Sequence, residues 1–123
     1  MPTSRLVAIV DDDAEVRGSI ESLMRSAGFD VRSFESAATF LEAVADLQPL
    51  CLITDLHMPG MDGMALVRTL RRRGLAIPVV AITGYPSHAE RAAVAAAGVL
   101  TLLDKPFDPD TLVRVVEAAT GEA

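Results

Sequence analysis

The sequence predicts an α/β fold: a doubly wound parallel sheet with helices on both faces. Short apolar runs alternate with stretches of helical periodicity along the 123 residues, the pattern of βα units feeding a parallel sheet. The runs are nearly continuous in apolar residues, as strands buried on both faces must be. Four of them also lead into residues of the kind that handle phosphate and metal. Leu6-Val7-Ala8-Ile9-Val10 runs into Asp11, Asp12 and Asp13, and Leu50-Cys51-Leu52-Ile53-Thr54 into Asp55. Val79-Val80-Ala81-Ile82 runs into Thr83, and Leu100-Thr101-Leu102-Leu103-Asp104 into Lys105.

Each element has its own justification. After the first strand, Asp13 is a plausible N-cap; Val16, Ile20, Leu23, Met24 and Ala27 follow at helical spacing, and Gly28 closes the helix. Phe29 to Phe34 reads as the second strand, and Asp30, Arg32 and Ser33 mark it as a wetter edge. Ser36 caps a second helix carrying Phe40, Leu41 and Val44, which stops before Pro49. The third strand leads to the turn-rich Met58-Pro59-Gly60-Met61-Asp62-Gly63. A third helix then carries Leu66, Val67 and Leu70 and ends at Gly74. Pro78 opens the fourth strand, and an alanine-rich fourth helix runs from about Ser87 to Gly98. The last helix starts near Asp110 with Leu112, Val113 and Val116. Right-handed crossovers and coverage of both faces leave few arrangements of five such units. The strand order expected is 2-1-3-4-5, flavodoxin-like, as one domain over residues 1–123. Strands 1 and 3 then flank the switch point, and Asp11, Asp12 and Asp55 line the central crevice, where such sheets bind ligands.

Composition narrows the function classes. A net charge of −6 argues against nucleic-acid binding by this domain alone. The apolar runs are too short to span a membrane. Met1-Pro2-Thr3-Ser4-Arg5 leads into a strand-length run and lacks a signal peptide's longer apolar core. The single cysteine, Cys51, sits inside an apolar run and reads as a buried, inert thiol. A reducing cytoplasm fits these features.

Three carboxylates in one crevice repel each other and favour protonation unless a cation neutralises them. Hard oxygen ligands suit Mg²⁺, and no Cys/His cluster offers a zinc site. A carboxylate can also serve as a nucleophile and become an aspartyl phosphate. Such a site needs a metal, a second cation and a hydroxyl or N–H donor around the phosphoryl oxygens. Asp11 and Asp12, Lys105 and Thr83 supply these in turn. Asp55 is the best acceptor because it stands alone at the end of the middle strand.

With these residues in place, the chain resembles a receiver domain of bacterial two-component response regulators. The resemblance lies in Asp11-Asp12, in Asp55-Leu56-His57-Met58-Pro59-Gly60-Met61-Asp62-Gly63, in Thr83-Gly84 and in Lys105-Pro106-Phe107. It spans essentially the whole chain, and the texture is similar to receivers of the nitrogen-fixation regulator type. It implies phosphoryl transfer to Asp55 from a sensor histidine kinase or phosphotransfer protein. It implies that Asp12, Asp55 and the backbone carbonyl of His57 ligate Mg²⁺ directly, with Asp11 acting through water. Thr83 would bind the phosphoryl group and move with it, Lys105 would pair with a phosphoryl oxygen, and the Lys105-Pro106 bond would be cis. The output face would be the fourth helix, strand 5 and the fifth helix, used for an output domain, another partner or a phosphorylation-dependent homodimer. No output domain is present, so the chain reads as a stand-alone or excised receiver.

One position departs from the family pattern. Many receivers carry Tyr or Phe three residues before the lysine, with a ring that swings inward when the threonine moves. Here that residue is Leu102, which puts the aromatic part of the switch in question but not phosphorylation. The only tyrosine, Tyr85, lies two residues past Thr83; in the family that position and the one at His57 border the phosphoryl group.

Other features have blander readings. The His57 ring is expected in solvent, and His88 simply exposed. Asp13 serves as a helix cap. Arg71-Arg72-Arg73 reads as a solvated basic helix end, where the macrodipole favours cations. Asp62 and Gly63 serve the turn and the start of the third helix. Met58, Met61 and Met64 read as loop packing. The alanine-rich helix reads equally as a lightly anchored switching element and as small residues packed close to the sheet. The rival function is a small phosphatase of the haloacid dehalogenase type, with its nucleophile after strand 1. Asp11 and Asp13 fit its Asp-x-Asp pattern superficially, Glu15 breaks it, and Asp55 is left unexplained. A third reading is a non-switching receiver used for docking.

Overall fold

The structure, a computed structural model, describes residues 5–84 and 86–121. Met1 to Ser4, on which part of the N-terminal reading rests, and Tyr85 lie outside them. Ten elements alternate: β1 (Leu6–Val10), α1 (Ala14–Ser26), β2 (Asp30–Phe34), α2 (Ala37–Leu47), β3 (Cys51–Asp55), α3 (Gly63–Arg72), β4 (Val79–Thr83), α4 (His88–Ala96), β5 (Thr101–Asp104) and α5 (Pro109–Thr120). They form one sheet in the order β2-β1-β3-β4-β5, parallel throughout. This is the flavodoxin-like topology the sequence predicts.

Alternation along each strand splits the core into two layers. Val7 and Ile9 of β1 face Ile20 and Met24 of α1 and Leu112 and Val116 of α5. Ala8 and Val10 face Phe40 of α2 and Leu66 and Leu70 of α3. The three inner strands, β1, β3 and β4, are buried at every position. β2 and β5 lie at the edges and are partly exposed, which is why β2 tolerates Asp30, Arg32 and Ser33.

Most boundaries fall where the capping residues put them. Asp13 Oδ1 accepts from the N–H groups of Glu15 and Val16 at 2.9 and 3.3 Å. Asp62 Oδ1 accepts from Ala65 N–H at 2.8 Å, and Ser36 and Ser87 cap α2 and α4. The chain leaves α2 through Gln48, whose φ of 48° is left-handed, a conformation its sequence does not advertise. Leu100 lies outside β5 and is 56% exposed, so the apolar run there overstates the strand. The Lys105-Pro106 bond is cis.

The arginine run is not simply a solvated helix end. Arg71 Nη1 donates to the carbonyls of Leu75 and Ile77 at 3.0 Å each, and Nη2 to that of Gly98 at 3.4 Å. Arg73 Nη1 donates to Leu41 O at 3.2 Å. Arg71 therefore fastens two connections at the sheet's far pole, and Arg73 ties the end of α3 to α2. Cys51 is wholly buried, and burial pushes its thiol up to about 12, consistent with an inert packing role. Among the described residues, no helix is long and apolar enough to cross a membrane.

Candidate functional site

Strand register gathers the polar strand ends. Val10 pairs with Thr54, Asp55 with Ile82, and Thr83 with Asp104. Asp11, Asp55, Thr83 and Lys105 therefore follow one another along the carboxyl edge of the sheet. Lys105 N–H donates to Thr83 O at 2.7 Å, fixing the lysine's start point beside β4.

Asp11 is buried; its Oδ1 accepts from Asp13 N–H at 2.9 Å, and Arg17 Nη1 donates to its carbonyl at 2.8 Å. Asp12 is exposed at the mouth of the crevice. Asp55 is 7% exposed. One of its oxygens accepts from His57 N–H at 2.9 Å, and the other meets Lys105 Nζ at 2.7 Å. Lys105 Nζ also lies 3.8 Å from Asp11 Oδ2. Asp11, Asp12 and Asp55 each place a carboxylate oxygen within 4.8 Å of the others'. An all-oxygen set of that compactness fits a hard divalent cation such as Mg²⁺, which keeps several waters of its own.

The electrostatics express the crowding. Burial, above all, raises the Asp11 carboxyl above the ordinary carboxylate range, and Asp55 and Asp12 push the same way. The Asp13 N–H and Lys105 offset only part of this. At Lys105, burial works against the charge, yet the hydrogen bond to Asp55 and the fields of Asp11 and Asp55 hold the ammonium above its usual value. A raised carboxyl means that ionised Asp11 destabilises the fold at neutral pH relative to its neutral form. Asp11→Asn keeps the acceptor for Asp13 N–H and removes the charge. In metal-free buffer it is expected to raise Tm by on the order of 2–4 °C. Millimolar Mg²⁺ should stabilise the wild type more than the variant and shrink that gap. Thermal melts with EDTA and with Mg²⁺ check both signs.

Gly63 supports Asp55 directly. A Cβ there would stand 2.3 Å from Asp55 O and 2.9 Å from Leu56 Cα. The glycine thus serves more than a turn: it lets α3 start against the end of β3.

Thr83 is wholly buried. Its hydroxyl lies 3.3 Å from His57 Nδ1 and 3.4 Å from the Gly84 carbonyl. The His57 ring is largely solvent-exposed, as the sequence suggests, but it also has partners that the sequence does not show. The ring is 57% exposed, but its two nitrogens meet the Thr83 hydroxyl and the Glu90 carboxylate. His57 and Glu90 are 33 positions apart, and no local pattern joins them. The N–H of Ser87 first, and then His57, hold the Glu90 carboxyl below its ordinary range. His88 is exposed, as expected. Leu102 packs with Met64 and Val99 on a small cluster of Leu56, Ala81 and Val94.

Comparison with known proteins agrees with this arrangement. The family model described as the response regulator receiver domain matches residues 7–117. The chain is 33% identical over 123 residues to the transcriptional regulatory protein FixJ of Bradyrhizobium diazoefficiens, covering all of this chain and 60% of that protein. It is 37% identical over 114 residues to the DNA-binding transcriptional regulator NtrC of Escherichia coli, covering 93% of this chain and 24% of that one. It therefore spans less than two thirds of each of these relatives' lengths. The crystal structure of FixJ-N superimposes with a TM-score of 0.89 at 32% identity, covering 100% of this chain and 98% of the other. With its parallel 2-1-3-4-5 sheet and the acidic crevice closed by a lysine, the chain belongs to the receiver domain family of two-component response regulators.

Proposed function

We propose that this receiver accepts a phosphoryl group on Asp55 from the phosphohistidine of a sensor histidine kinase or phosphotransfer protein, with Mg²⁺, in a reducing cytoplasm. The observation that carries the assignment is the pairing of Asp55 with Lys105 at 2.7 Å inside the three-carboxylate cluster. A carboxylate oxygen of Asp55 attacks phosphorus, the phosphorus–nitrogen bond breaks, and its electron pair returns to the imidazole. Asp12, Asp55 and the His57 carbonyl would hold Mg²⁺ directly, and Asp11 through water. When bound, the ion supplies charge neutralisation between the acceptor and the incoming phosphoryl oxygens. Lys105, already aimed at Asp55, would neutralise another oxygen, and the Thr83 hydroxyl would turn to donate to a third.

The phosphorylated form is then a different binding surface. Thr83 carries the change toward α4, β5 and α5, the face we assign to an output domain, another partner or a second copy of the chain. The phosphatase alternative is not favoured. Asp11 is pinned by Asp13 N–H and Arg17, while Asp55, which that reading leaves idle, sits against Lys105.

Acetyl phosphate with Mg²⁺ tests the reaction without a kinase. One phosphoryl group per chain is expected by intact mass, mapped by peptide analysis to Asp55, and no uptake when EDTA is present from the start. Modification elsewhere, or uptake indifferent to EDTA, refutes the assignment.

A further inference from the structure

The first turn of α4 is tied to the acceptor loop through one imidazole. Thr83 Oγ1 lies 3.3 Å from His57 Nδ1, and Nε2 of the same ring meets Glu90 Oε2. The other Glu90 oxygen accepts from Ser87 N–H at 2.9 Å, and Ser87 Oγ accepts from Glu90 N–H at 3.1 Å. Those two bonds are the capping box of α4. A ring nitrogen facing a carboxylate is a donor, so in the neutral ring Nδ1 accepts from the Thr83 hydroxyl. The hydroxyl at the end of β4, the ring after β3 and the cap of α4 form one continuous chain.

Among the described residues, little else holds that end of α4. Its only buried side chain is Val94. Arg91 pairs with Asp104 at 3.2 Å, with both side chains about half exposed, an interaction of small net value. Leu102 has no ring to move and is already packed beside Val94.

We infer that the His57 ring is the latch by which phosphorylation of Asp55 reaches α4 in this protein. The inference rests on the phosphoacceptor reading and adds a mechanism to it. A threonine hydroxyl has one proton to donate, and His57 Nδ1 at 3.3 Å is the nearer of the two acceptors around it, the Gly84 carbonyl lying at 3.4 Å. The hydroxyl can serve His57 Nδ1 or a phosphoryl oxygen, not both. When the hydroxyl turns to the phosphoryl group, the ring loses the contact that orients it, its hold on Glu90 weakens, and the first turn of α4 is released. The two states differ in named contacts, as a coupling between sites requires.

The 123-residue chain, labelled with nitrogen-15 in backbone and histidine rings and titrated with beryllofluoride and Mg²⁺, tests the latch. In the wild type, the His57 ring nitrogens and the amides of His88–Ala96 should shift together over the same titration. Glu90→Ala should move the α4 amides of the unliganded protein toward their liganded positions and leave their further change roughly halved or less, while beryllofluoride still saturates. Ser87→Ala removes the hydroxyl cap but keeps the ring contact, so its His57 response should stay at wild-type size. A wild-type ring that stays still while beryllofluoride binds overturns the latch alone. So does a full-sized α4 response in Glu90→Ala, or a Ser87→Ala protein that behaves like Glu90→Ala. Wild-type protein that takes neither beryllofluoride nor a phosphoryl group overturns the phosphoacceptor reading itself.

Discussion

Asp55→Asn is expected to abolish phosphoryl uptake from acetyl phosphate and Mg²⁺, with a rate loss on the order of 10³ or more, because an amide is a far poorer nucleophile than a carboxylate. The substitution changes little else. Asparagine keeps an oxygen for the His57 N–H that Asp55 accepts at 2.9 Å. It surrenders the ion pair with Lys105, but it also relieves repulsion among three carboxylates whose oxygens lie within 4.8 Å. The variant should therefore show a folded circular-dichroism spectrum and a cooperative melt beside its lost labelling. Asp11→Asn should label more slowly than the wild type rather than not at all, if Asp11 acts through water as proposed. Normal labelling of Asp55→Asn together with loss in Asp11→Asn would reverse the assignment and restore the phosphatase-like reading.

Gly63→Ala should be among the most damaging single-methyl changes in the chain. The new Cβ would meet Asp55 O at 2.3 Å, Leu56 Cα at 2.9 Å and Asp55 C at 3.1 Å. All three are backbone atoms at the end of a fully buried strand, so no side chain can swing aside. Overpacking of this kind costs about 3 kcal/mol, a fall in Tm on the order of 10 °C for a domain of this size. The displaced backbone belongs to Asp55, the proposed acceptor, so phosphoryl uptake should fall as well. Gly18→Ala is the matched control. It lies within α1, and a Cβ there meets nothing within 4 Å. It should stabilise the protein by roughly 0.5–1 kcal/mol, because alanine loses less backbone entropy in a helix. Thermal melts of the two variants should move in opposite directions; equal shifts would show that helix propensity, not contact with Asp55, governs position 63.

Much of this protein is determined by its sequence alone. Apolar runs such as Leu6–Val10 and Val79–Ile82 specify strands buried on both faces, because a strand apolar throughout must be covered on both sides. Asp13, Ser36, Asp62 and Ser87 mark helix starts, because each carries a short side chain able to reach an unpaired N–H. The chirality of βα crossovers then leaves little choice of strand order. That order brings Asp11, Asp12, Asp55, Thr83 and Lys105 to one edge, so the acidic crevice is legible in the sequence.

The tertiary structure decided what depends on contacts between residues far apart in the chain. The distance from Lys105 to Asp55, the rise of the Asp11 carboxyl through burial and the fit of Gly63 beneath Asp55 all depend on how elements seat against one another. Arg71 looked like a solvated charge because sequence shows a helix end but not the carbonyls that fold back over it. His57 is the sharpest case. Its neighbours in sequence suggest a loop histidine in solvent, whereas Thr83 and Glu90 reach its two nitrogens from β4 and α4. Periodicity and capping are local properties that a sequence displays directly. A hydrogen-bond chain linking positions 57, 83 and 90 forms only once the sheet has brought β3 and β4 together and α4 has closed over their ends.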